Sequence, residues 1–165
     1  TEAAEQFERQ GAEDRVHGCW LGLAEVARMG AQYEEAGVWL EKVNGDPAAR
    51  KNRWTRAANK HFQSNLARSR GDLDLAEERM LEAGQLYAET GSAAVKVARL
   101  NRGLLLIAQD RVEEGLHFFN RIDGNSPVSK IQFDYLKAYL SFYLSEPEEA
   151  RRIAESYRDY SVIKW

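Results

Sequence analysis

One phrase returns four times along this chain, and that recurrence restricts the fold more than any other feature does. It runs as a helix tail, a tight turn, a few acidic or polar residues, and then a small residue. The copies are Met29-Gly30-Ala31-Gln32-Tyr33-Glu34-Glu35-Ala36, Arg70-Gly71-Asp72-Leu73-Asp74-Leu75-Ala76, Gln109-Asp110-Arg111-Val112-Glu113-Glu114-Gly115 and Ser145-Glu146-Pro147-Glu148-Glu149-Ala150. The small residues Ala36, Ala76, Gly115 and Ala150 stand 40, 39 and 35 positions apart. Leu40, Met80, Phe119 and Ala154 follow four positions later, and Val43, Ala83, Ile122 and Tyr157 three beyond those. Steps of four and three return to one helix face, so each trio makes a stripe along its helix.

The turn divides each copy into two helices. First helices are expected near 13–29, 48–69, 93–109 and 128–144, and second helices near 33–43, 73–89, 112–122 and 147–160. The repeats then run over about 13–47, 48–91, 92–125 and 126–160. Asn44-Gly45-Asp46-Pro47 and Asp123-Gly124-Asn125-Ser126-Pro127 each stop one helix and start another, with proline tolerated in a first turn. Thr90-Gly91-Ser92 places a glycine stop before a serine cap, and Ser145 with Glu148 has capping-box spacing. A lone helical hairpin cannot bury both of its apolar flanks, so successive hairpins must stack into an all-α array. Residues 1–10 read as the remnant of a preceding repeat, and Val162-Ile163-Lys164-Trp165 as the start of a further element. The chain is therefore expected to be an excerpt of a longer array.

The stretch from Asn101 to Leu116, and Trp20-Leu21-Gly22-Leu23-Ala24 with Tyr33-Glu34-Glu35-Ala36, resemble the tetratricopeptide repeat. The similarity covers roughly residues 13–160, with spacings like those of a longer, about 40-residue variant. It departs from the pattern where Lys60, Gln63, Arg99 and Arg102 occupy first-helix positions that are usually large and apolar, and where Pro147 replaces an aromatic or leucine. The resemblance implies a right-handed α-solenoid whose groove is lined by first helices and holds a protein or peptide segment, with no catalysis. It also implies the groove-facing positions Glu25, Arg28, His61, Asn65, Arg68, Asn101, Ile107, Tyr135, Tyr139 and Phe142. Asn65 and Asn101 stand out among them, because an amide both donates and accepts and can grip an extended backbone whatever its side chains.

Two other surfaces compete with that groove. Arg53, Arg56 and Lys60 are spaced to share a helix face and could clamp an acidic peptide, a small anion or nucleic acid. A solvated face paired with the many glutamates is the plainer reading of such a run. Trp54 beside it is either a stacking platform or a core residue between hairpins. Helix 128–144 carries Ile131, Phe133, Tyr135, Leu136, Tyr139, Leu140, Phe142, Tyr143 and Leu144 on nearly every side. Such a helix is buried all round or covers a partner, and a homodimer through it is one outcome. A spacer or self-assembly role is accordingly the main structural alternative to partner binding.

Composition narrows the function classes. With 44% hydrophobic and 30% charged residues, the 165-residue chain has enough apolar content for a packed core. A net charge of −3 disfavours nucleic acid as a partner. No apolar run approaches a membrane span, and the acidic start is no signal peptide. Cys19 is the single cysteine, which excludes an internal disulfide and fits a reducing, cytoplasmic setting, or a periplasmic one if the whole protein is exported. His17, His61 and His117 lack metal-ligand spacing, and no phosphate loop, nucleophile elbow or cysteine pair occurs. Neither a cofactor, a metal nor an enzymatic activity is expected.

Overall fold

The computed structural model describes residues 13–119 together with Glu148 and Arg152. The chain divides into two units, Thr1–Phe118 and Phe119–Trp165, and the contacts given below belong to the first. Its described elements are helices: α1 Glu13–Met29, α2 Tyr33–Gly45, α3 Pro47–Lys51, α4 Arg53–Ser69, α5 Leu73–Glu89, α6 Ala94–Ala108 and α7 Val112–Phe119. No strand occurs among the described residues. The expected helices 128–144 and 147–160, the repeat at 126–160, the remnant at 1–10 and the dimer surface on 128–144 lie outside the described residues.

Four of the five expected helix ends between 29 and 110, all but that of α2, close in one way. In each, the second residue past the helix takes a left-handed conformation: Ala31 at φ 58°, Gly71 at 84°, Gly91 at 66° and Asp110 at 65°. Its amide donates three residues back and the next amide donates five back, as in Gly71 N to Arg68 O (3.0 Å) and Asp72 N to Ala67 O (3.0 Å). Asp110 N to Ile107 O (2.9 Å) and Arg111 N to Leu106 O (2.9 Å) repeat the pair one copy later. This Schellman arrangement satisfies two carbonyls that every helix end would otherwise leave bare. Ala31 is the costly member, because its Cβ crowds the following carbonyl in this conformation. Ala31→Gly is expected to raise stability by up to about 1 kcal/mol, and Gly71→Ala to lower it by about as much. Paired urea melts that moved in the same direction would contradict this.

The expected single helix over 48–69 is corrected to two. Asp46 accepts from Ala48 N (2.8 Å) and Ala49 N (3.0 Å), which starts α3 with Pro47 at its first position. Asn52 then leaves helical geometry (φ −86°, ψ 108°) and its side chain accepts from Thr55 N at 3.1 Å, restarting the chain as α4. Asp72 caps α5 through Leu75 N (3.1 Å), and Ser92 accepts from Ala94 N (3.2 Å) at the start of α6.

Successive hairpins abut in chain order. Helix α1 packs on α2, α4 packs on α1 and α2 as well as on α5, and α5 packs on α6. Small residues set the closeness of each hairpin. Ala36 and Ala76 are completely buried and Gly115 is buried too; from the first helix twelve positions earlier, Ser64 meets Ala76, Gly103 lies against Gly115, and Ala24 shares the core of Ala36. The Ser64 hydroxyl donates to Ala76 O at 2.6 Å, a contact that bulk at either position would prevent. Helix α4 is two-faced: Ala58 and Leu66 join the core of the first hairpin around Val16, Trp20, Leu21 and Leu40. Ala57 and Ala67 join the next core around Met80, Ala83, Tyr87 and Leu105. One helix thus closes two apolar layers, which is why its buried residues are so small.

Candidate functional site

Apart from Ile107, the expected groove residues on the described helices fall into a polar row carried by α1, α4 and α6. Arg28 donates through Nε and Nη2 to both carboxylate oxygens of Glu25 (2.9 and 2.7 Å), and its Nη1 donates to Ser69 Oγ on α4 at 2.8 Å. The Arg28 fork holds the Glu25 carboxyl below its ordinary value against the pull of burial, with smaller help from His61 and Arg68. Arg28 and Glu25 are thereby largely spent on joining α1 to α4. Asn101 Nδ2 on α6 donates to His61 Nε2 on α4 at 3.0 Å, and the ring stacks edge-on against Tyr87 with centroids 6.3 Å apart. Burial pushes the His61 imidazole below its usual value; the Glu25 carboxylate opposes the shift and Arg68 adds to it. Burial likewise raises Tyr87 to about 12.

Asn65 and Arg68 are different. Asn65 is half-buried and Arg68 exposed, and neither side chain has a hydrogen bond or ion pair with any described residue. Asn65 stands one helical turn from His61 and Arg68 nearly one turn beyond. The two therefore present an amide and a guanidinium with free capacity beside a row whose other polar groups are engaged.

Ile107 is a correction. It is completely buried, and its Cγ1 and Cδ1 lie 2.6 and 3.0 Å from where a Cβ on Gly115 would stand. The absent side chain of Gly115 lets Ile107 turn onto α7, so it belongs to the core and offers nothing to a groove. Tyr135, Tyr139 and Phe142 lie outside the described residues.

The cationic face is mostly paired. Lys60 Nζ meets Glu82 at 2.7 Å and Arg53 reaches Glu89 at 3.8 Å, both partners lying on α5. Burial works against the Glu82 carboxylate, yet its bonds to Lys60 and Arg79 hold it below the ordinary range. Arg56 has no such partner among the described residues. Trp54 is 50% exposed and belongs to neither core. The polar departures from the repeat pattern find their explanation here. Lys60 and Gln63 line an open trough of about 910 Å³ between α2 and α5, and Arg102 binds Glu77 (2.9 Å) and stacks over Phe118 (4.9 Å). Lys60 and Arg102 thus each meet a carboxylate of α5, Glu82 and Glu77.

No known protein family, curated protein or solved structure matches this chain. Its function has to be argued from its own residues. Among the described residues, no three His, Cys, Asp or Glu side chains gather closely enough to hold a metal ion. No described helix is long and apolar enough to cross a membrane.

Proposed function

We propose that this chain is a non-catalytic, tetratricopeptide-like array that holds an extended segment of a protein partner along the face formed by α1, α4 and α6. The observation that carries the reading is the half-buried Asn65 amide, which has no partner within the described chain and lies a turn from the unpaired Arg68. An amide left with spare donors and acceptors on a rigid helix suits a peptide backbone, which offers both at every residue. The Glu25–Arg28–Ser69 clamp and the Asn101–His61 bond support the reading by fixing that row before any ligand arrives. Met29, exposed one turn beyond Glu25, adds apolar contact at one end.

The test is selection of peptides from a displayed random library on the full chain. Selected peptides are expected to lose about tenfold or more in affinity on Asn65→Ala combined with Arg68→Ala, with the melting temperature unchanged. Selected peptides indifferent to both substitutions would reject this face. Asn101→Ala is expected to weaken binding less, because its amide is already committed to His61.

A further inference from the structure

The side chains with capacity to spare beside the polar row all stand on α4, and they stand in line. Ala58 and Leu66 join that helix to the first core, while Ala57, Ala67 and Ser64, bonded to Ala76 O, join it to the second. Two strips stay open between these layers. Lys60 and Gln63 mark the one that borders the trough. Trp54, His61, Asn65 and Arg68 succeed one another at seven, four and three positions, so they share the other. His61 is joined to Asn101 across to α6, and Glu25 and Arg28 are joined on α1. That leaves Trp54, which is 50% exposed, with Asn65 and Arg68, and the side chains of all three bond to no described residue.

Their order and chemistry describe an occupant. Arg28 holds both carboxylate oxygens of Glu25, so Arg68 keeps a guanidinium to which an acid can be paired. Trp54 offers a flat apolar ring at the opposite end. Residues 47–71 contain no carboxylate, and Arg50, Lys51 and Arg53 flank the ring in the chain. A cationic side chain is therefore repelled there, and a neutral aromatic one gains from stacking beyond its buried area. Trp54 and Arg68 lie fourteen positions apart, about 21 Å along a helix. An extended segment covers that length in about six residues, and an even step keeps both of its side chains on one side. Asn65, nearly one turn before Arg68, then meets the backbone beside the acid.

We propose, resting on the peptide-binding reading above, that the segment held here lies along α4 and carries an aromatic residue six positions from an aspartate or glutamate. The aromatic ring stacks on Trp54, and the side-chain carboxylate pairs with Arg68.

Peptides selected on the full chain from a displayed random library are expected to share that spacing. A synthetic copy of one, capped at both ends so that no terminal carboxylate remains, is the probe for calorimetric titration. Trp54→Ala should weaken it by about tenfold, and change nothing once its aromatic residue is replaced by alanine. Arg68→Glu should weaken it by about tenfold or more, and exchanging its acid for lysine should restore most of the loss. Both residues are exposed, so neither variant threatens the fold. Selected peptides that need Asn65 but lack the pair overturn this arrangement and leave the face standing. So does a Trp54→Ala loss that ignores the residue opposite, or an Arg68→Glu loss that lysine does not repair. Peptides indifferent to Trp54, Asn65 and Arg68 alike remove the face itself.

Discussion

Replacing Gly115 by alanine is expected to destabilise the chain by about 1–3 kcal/mol, whereas the same replacement at Gly84 should stabilise it by about 0.5–1 kcal/mol. Both glycines sit inside helices, where alanine is intrinsically the better residue. They differ in what the added methyl would meet. At Gly115 it would stand 2.6 Å from Ile107 Cγ1 and 2.7 Å from the Gly103 carbonyl oxygen, and a helix backbone cannot retreat as a flexible side-chain tip can. At Gly84 the nearest atom is Ala98 Cβ at 3.7 Å, an ordinary contact between α5 and α6. Urea unfolding with unchanged slope reads both effects as midpoint shifts of opposite sign. A neutral or stabilised Gly115→Ala protein would mean that α6 and α7 do not approach as closely as described.

That contrast explains why the third copy of the repeat carries glycine where the first two carry alanine. Ile107 in the third copy stands at the register of Arg68 in the second, and a buried Ile needs room that a charged, outward side chain does not. Periodicity found the crossing itself, through Ala36, Ala76 and Gly115, but registered only half of it. Their partners Ala24, Ser64 and Gly103 repeat at the same intervals, and small residues on a first helix do not stand out in an alanine-rich sequence. The local identity of a third-copy residue likewise escaped register, so Ile107 was expected at a surface.

The helix ends were legible because their signals are local: a glycine or aspartate within two residues of the last helical one, or Asp46 ahead of Pro47. The break at Asn52 was not, since asparagine is tolerated inside helices and Pro47 already explained the start of a long one. The row of Glu25, Arg28, His61, Asn65, Arg68 and Asn101 was implied by the resemblance to the tetratricopeptide repeat, and the structure separates it into side chains that lock helices together and two that remain free. Which is which depends on contacts such as Arg28 to Ser69, forty-one positions away, that no window of sequence contains.

Asp46 joins these threads, and Asp46→Ala is expected to cost about 2–4 kcal/mol, the loss of an N-cap together with a stranded buried histidine. Its Oδ1 accepts from Ala48 N and Ala49 N at the start of α3, and lies 3.2 Å from Nε2 of His17 on α1. His17 is 2% exposed and its Nδ1 already lacks a partner, so removing the carboxylate leaves the ring with none. Asp46→Asn keeps an oxygen for the cap and should retain most of the stability. The pH dependence has a definite sign. The Ala49 and Ala48 amides, with His17, hold the Asp46 carboxyl below its ordinary value, against a smaller opposing pull of burial. Its contribution is therefore complete above that value and disappears as the pH falls through the lower, folded one. The gap between wild type and Asp46→Ala in urea midpoint should stay level from neutrality down to about pH 4 and close only below it. An Asp46→Ala midpoint within a few tenths of a kcal/mol of wild type would remove the link between α1 and α3.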